Sequence, residues 1–133
     1  MTDWADRVAI NDILARYADG VNRRDPELWG SSWDEDGEWF LFGPDPVKGR
    51  AAIVEAWKDA IGGYPFVVMF ASQGAVDIDG DRASGVSYTN EVARTADGKE
   101  LRVTGCYTDR YVKRGGRWGF AFRQFEQLHQ QQI

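Results

Sequence analysis

Apolar side chains recur mostly at three- and four-residue steps through Val8, Ile10, Ile13, Leu14, Tyr17 and Ala18, with Arg7, Asp12, Arg16 and Asp19 between them. That period places the apolar set on one helical stripe facing a core and the charged set toward water. Asp3 stands ahead of the stripe as a candidate N-cap. Arg23-Arg24-Asp25-Pro26 breaks the pattern before a second, short helix around residues 27–32. Residues 38–42 read as a short strand with large apolar side chains. Gly43-Pro44-Asp45-Pro46 makes a turn, and Lys48-Gly49-Arg50 leads into a further helix whose apolar members are Ala52, Ile53, Ala56, Trp57 and Ile61. Gly62-Gly63 ends that helix, because glycine reaches positive backbone angles at little cost.

From there the period changes to that of strands. Four strand-like segments cover residues 66–72 and on to 78, 83–94, 100–113 and 117–128. They are punctuated by Asp79-Gly80-Asp81, Ala96-Asp97-Gly98-Lys99 and Gly115-Gly116, so the last three form consecutive antiparallel hairpins. Strands of about ten residues or more suit a sheet curled around something. Helices gathered first and strands last give an α+β fold. The expected form is a cone: N-terminal helices packed against a strongly curved, mainly antiparallel sheet, with a tapered cavity between the layers. The polar end, Gln127 to Gln131, is expected to fray.

At 133 residues the chain is the size of one domain. A single cysteine, Cys106, excludes an intrachain disulfide and argues against a thiolate metal site. Twenty-one acidic against sixteen basic residues give a net charge of -5, which argues against a nucleic-acid partner. The run Lys113-Arg114-Gly115-Gly116-Arg117 reads as a solvated hairpin tip. No apolar run is long enough to span a membrane, and Met1 to Asp6 lacks a signal pattern, so a cytoplasmic protein is expected. No serine elbow, phosphate-binding glycine loop, calcium loop or transition-metal spacing occurs, and no metal or cofactor is expected.

The order of elements, together with Ile13-Leu14-Ala15-Arg16-Tyr17, Trp33 to Trp39, Asp79-Gly80-Asp81 and Gly105-Cys106-Tyr107-Thr108-Asp109-Arg110-Tyr111, resembles the SnoaL-like branch of the nuclear-transport-factor-2-like superfamily. The likeness covers nearly the whole chain, so residues 1–133 are taken as a single SnoaL-like domain. Within that branch the chain looks most like relatives of scytalone dehydratase and gamma-hexachlorocyclohexane dehydrochlorinase. That group pairs an aspartate at the end of the first helix with a histidine on the strand after the last helix. Here the two positions fall on Asn22 and Met69, so the dyad is absent. An asparagine accepts no proton at neutral pH, and elimination of water or HCl needs a base. The lone histidine, His129, lies in the polar C-terminal segment.

Three residues are the remaining catalytic candidates. Tyr17 lies on the helix stripe and could polarise a carbonyl, or be a core tyrosine bonded to a neighbour. Asn22 could orient a ligand oxygen or a water, or cap the helix. Arg123 follows Trp118-Gly119-Phe120 and could face an oxygen gaining negative charge, or form an outward salt bridge. Asp109 and Arg110 fall on opposite faces of their strand, so only one can point inward. The acidic run Asp34-Glu35-Asp36-Gly37 reads as a surface turn.

Six tryptophans, five tyrosines and seven phenylalanines exceed what a plain small core needs. They suit an apolar pocket, with Trp33, Trp39, Met69 and Tyr88 as substrate-binding candidates, or a subunit interface. The expected function is a cofactor-independent lyase or isomerase acting on a small hydrophobic, cyclic or polyketide-like substrate. The alternatives are a non-catalytic small-molecule-binding homo-oligomer and a hydrolase that uses a bound water. The resemblance implies self-association as a homodimer or, in some branches, a homotrimer.

Overall fold

A computed structural model describes residues 3–41 and 43–133. The elements in chain order are α1 (Trp4–Arg23), α2 (Pro26–Gly30), β1 (Trp33–Phe40), β2 (Val47–Lys48), α3 (Arg50–Gly62), β3 (Phe66–Asp79), β4 (Arg82–Arg94), β5 (Glu100–Arg114) and β6 (Arg117–Gln132).

The α1 stripe buries Ile10, Ile13, Leu14, Tyr17, Gly20 and Val21, whereas Val8 faces outward. Asp3 makes no capping bond and instead pairs with Arg7 one turn on. The C-cap of α1 is Arg24, in the left-handed region at φ 50°. α2 then folds back closely: a Cβ on Gly20 would stand 2.5 Å from Trp29 Cβ, so only glycine admits this approach. Asp25 caps α2, its carboxylate accepting from the amides of Glu27 and Leu28.

The six strands lie in the order β2-β1-β6-β5-β4-β3. β3 to β6 are successive antiparallel neighbours, as their turns require. β1 runs parallel to β6, with Trp33 opposite Phe120 and Phe40 opposite Gln124. The cone built on a strongly curved, mainly antiparallel sheet is therefore corrected to an α+β fold with an open, mixed sheet that neither curls strongly nor closes. Two physical reasons account for the difference. Tight hairpins force consecutive strands to alternate in direction, but no hairpin joins β1 to β6, so their relative direction is free. Strand length, read as a demand for curvature, is used instead for extension. The polar end expected to fray continues β6 to Gln132, exposed but paired with β5 through Leu101 and Gln132.

β1 also starts earlier than the sequence suggested. The acidic run is not a surface turn; it lies within β1 across a register shift between Trp33 and Glu38. Asp34 is buried there, gripped by Arg114 through Nε at 3.0 Å and Nη2 at 3.1 Å. Burial opposes its charge, but Arg114 and the Asp36 amide outweigh that and hold its carboxyl below the usual range. Phe42, the expected end of this strand, lies outside the described residues, as do Met1 and Thr2.

The core sits between the helices and the inner sheet face. Trp29, fully buried, stacks on Trp57 with centroids 4.7 Å apart and meets Tyr17, Trp33 and Trp39 at 5.2, 5.9 and 5.4 Å. Much of the aromatic content thus builds this core.

Candidate active site

Alternation along β4 and β5 sends Ser87 and Thr89, and Tyr107, Asp109 and Tyr111, to the inner face; on β6 one extra residue, Ala121, shifts the phase so that Phe120 and Arg123 both join them, and all are buried. Arg123 is 0% exposed. Its Nε donates to Asp109 Oδ1 at 2.6 Å, and its Nη2 donates to Asp109 Oδ2 at 3.1 Å and to Ser87 Oγ at 2.6 Å. Ser87 Oγ and the Tyr111 hydroxyl donate to Asp109 Oδ2 at 2.8 and 3.3 Å. Burial disfavours the guanidinium charge, but Asp109 beside it outweighs that loss and raises the arginine pKa. Arg110, on the other face of β5, is exposed.

Aromatic rings enclose this ion pair. The Arg123 guanidinium carbon lies 3.7, 4.1 and 4.5 Å from the ring centroids of Tyr107, Phe120 and Tyr17. Arg123 Nη1 is buried with no hydrogen-bond partner among the described residues. From α1, the Tyr17 hydroxyl meets the Tyr107 hydroxyl at 3.1 Å. Burial raises the pKa of both phenols, so both remain protonated donors at neutral pH.

Asn22, on the last turn of α1, reaches β3. Its Nδ2 donates to the Met69 carbonyl at 2.9 Å, and its Oδ1 accepts from the Met69 amide at 2.7 Å. Both main-chain groups of Met69 therefore point away from β4. Met69 and its register partner Glu91 form the non-hydrogen-bonded kind of antiparallel pair, in which facing side chains lie closer together.

The sequence candidates thus divide. Tyr17 and Arg123 come together around Tyr107. Trp33 and Trp39 join the buried aromatic core, and Met69 is buried beside Asn22. Tyr88 alternates to the opposite face of β4 and is 45% exposed, apart from this group.

Sequence reasoning did not single out Glu91. It shares the inner face of β4 with Ser87 and Thr89, and it is half-buried. Among the described residues it makes no hydrogen bond or ion pair. Burial pushes its carboxyl from 4.5 to about 7, and its charge is felt at both Tyr17 and Tyr107, where it further opposes ionisation. The usable signal was an acidic residue in phase with buried Ser87 and Thr89, but polar residues occupy both faces of β4 and mask that phase.

Clefts open elsewhere. One of about 400 Å³ lies near the β3–β4 turn, with Asp77, Asp79, Arg82, Arg110, Glu38 and Phe122 on its walls. A smaller one of about 180 Å³ lies among Trp33, Arg50, Arg114, Arg117 and Trp118. Among the described residues, no group of three or more histidine, cysteine, aspartate or glutamate side chains could hold a metal, and no helix is long and apolar enough to cross a membrane.

The model of the SnoaL-like domain family matches residues 2–124. The chain belongs to the SnoaL-like family. The gamma-hexachlorocyclohexane dehydrochlorinase of Sphingobium indicum is 22% identical over 124 residues, which are 90% of this SnoaL-like chain and 78% of that relative. Two solved structures have the same fold. The type 3 hexachlorocyclohexane dehydrochlorinase of Novosphingobium barchaimii superposes with a TM-score of 0.88 at 19% identity, covering 97% of this chain and 90% of that one. A putative scytalone dehydratase from Novosphingobium aromaticivorans superposes with a TM-score of 0.88 at 22% identity, covering 100% and 92%. This SnoaL-like protein is therefore related to a group of small-molecule enzymes.

Proposed function

We propose that this SnoaL-like protein is a cofactor-independent lyase or isomerase acting on a small hydrophobic substrate, cyclic or polyketide-like, at the aromatic inner face. The observation that carries the reading is the Tyr17–Tyr107 hydroxyl pair above the Arg123–Asp109 ion pair. When one phenol donates to the other, the acceptor's own O–H remains free for a substrate oxygen. Aromatic surroundings strengthen that bond as negative charge develops on the oxygen. Arg123 adds a fixed positive charge behind the rings, and Asp109 holds its orientation. Trp33, Trp39 and Met69 supply apolar walls, and Asn22 fixes the strand that carries Met69. The names of the relatives suggest the substrate class, cyclic and apolar.

The test is a screen of cyclic ketones, alcohols and chlorinated hydrocarbons, followed by nuclear magnetic resonance. Turnover of at least one compound is expected, with kcat falling about 100-fold in Tyr17→Phe. Tight binding of an apolar compound with no turnover anywhere in the screen would replace this reading with the non-catalytic binder. One observation favours that second reading: at the two positions of the dyad, the Asn22 amide bonds the main chain of Met69. We also propose self-association through the outer sheet face, where Phe70 and Tyr88 are exposed.

A further inference from the structure

We propose that Glu91 is the acid–base residue of this site, moving a proton between carbons of the bound substrate. The inference rests on the lyase or isomerase reading and supplies the group which that reading lacks. Four observations place Glu91 there. It is the register partner of Met69, and the Asn22 clamp makes their pair the closely facing kind. It shares the inner face with Ser87 and Thr89. It is half-buried, so its carboxyl is sheltered yet reachable. No cation or donor among the described residues occupies its oxygens, which leaves them available to a C–H bond.

The neighbouring charges are consistent with that role. From α1 and β5 the groups facing Glu91 are the Tyr17 and Tyr107 phenols, both held protonated by burial, with Arg123 of β6 behind them already neutralised by Asp109. β3 faces it with Met69, which does not ionise. A carboxyl in this setting titrates at about 7, where a general base and its conjugate acid are both present at neutral pH.

In the step itself, the ionised Glu91 takes the proton from a carbon next to a substrate ketone. The C–H electron pair becomes a carbon–carbon double bond, and the carbonyl pair moves onto oxygen, which accepts a hydrogen bond from Tyr17. In a β,γ-unsaturated ketone, return of the same proton from the Glu91 carboxylic acid to the γ-carbon moves the carbon–carbon double bond into conjugation and completes a 1,3-shift with no co-reactant. Return to the first carbon after exchange with solvent leaves an isotope label.

The experiment follows deuterium uptake by 2-tetralone, a flat bicyclic ketone, in D2O. The expected result is exchange above the buffer rate that rises as a group near 7 ionises. Exchange should fall at least about 100-fold in Glu91→Gln and be partly kept in Glu91→Asp. Tyr17→Phe should slow it without moving the pH midpoint. Unchanged exchange in a folded Glu91→Gln, or no exchange by the wild type, overturns the role of Glu91, whereas the lyase or isomerase reading falls only if no compound of the screen is turned over. An independent readout is the carbon-13 carboxyl signal of Glu91, assigned by its loss in Glu91→Gln. Titration near 7 supports the inference, and titration near 4.5 overturns it.

Discussion

Asn22 holds the main chain of Met69 from both sides, donating to its carbonyl at 2.9 Å and accepting from its amide at 2.7 Å. β3 is an edge strand, so these two groups would otherwise face water; the asparagine side chain acts as a one-residue strand partner. An aspartate here keeps the acceptor but loses the donor and turns a carboxylate oxygen toward the Met69 carbonyl. Asn22→Asp is expected to lower stability by about 1–2 kcal/mol in urea unfolding, with faster amide exchange at Met69. Unchanged exchange would mean that the clamp does not operate in solution.

Arg123 and Asp109 are both fully buried, so removing either partner leaves a charge without its match. Asp109→Asn is expected to cost about 3–5 kcal/mol, while Arg123→Met combined with Asp109→Leu costs much less than the sum of the two single changes. Urea unfolding of the double-mutant cycle measures the coupling. Near-zero coupling would contradict the buried pair.

Glu91 makes stability depend on pH in a definite direction. Its folded pKa, about 7, lies above its ordinary 4.5, so between those values the folded state holds a proton that the unfolded chain has released. Stability from this group is therefore full below 4.5, declines as pH rises toward 7, and is flat above. At about 1.4 kcal/mol per pH unit the upper limit is about 3 kcal/mol, lessened by the solvent that reaches a half-buried side chain. Glu91→Gln should remove this slope and melt at a higher temperature than wild type at pH 8. A slope that persists in the variant would place the titration elsewhere.

Gly20 and Trp29 set the angle between α1 and α2. A Cβ at Gly20 would stand 2.6 Å from both the Trp29 Cα and its amide nitrogen, and backbone cannot step aside as a side-chain tip can. Gly20→Ala is expected to cost about 2–3 kcal/mol in thermal unfolding. By contrast, Gly62→Ala meets nothing within 4 Å and should be nearly neutral.

The helices and hairpins were legible because each rests on local chemistry: the Ile10–Ile13–Leu14–Tyr17 stripe, the Pro26 start, and the turns at Gly80, Gly98 and Gly115. The partner of β1 was not, since pairing Trp33 with Phe120 leaves no turn residue to announce it. Asp34 was misread for a related reason, because its partner Arg114 lies far along the chain. In the site, Tyr17 and Arg123 carried recognisable positions, but Glu91 was hidden by a shift in β3. Counting back from Asp79 opposite Arg82 would set Met69 against Val92, whereas the irregularity between Gln73 and Val76 sets it against Glu91. One extra residue thus decides whether an acid or an aliphatic side chain faces Met69.

The parallel seating of β1 against β6 also orders events during synthesis. Trp33 leaves the ribosome long before Phe120, its neighbour in the sheet, yet among the described residues β1 otherwise pairs only with the two-residue β2. β1 therefore waits for its long neighbour in the sheet until residues beyond Arg117 are made. The earliest-made strand is thus the one whose main partner in the sheet is made last.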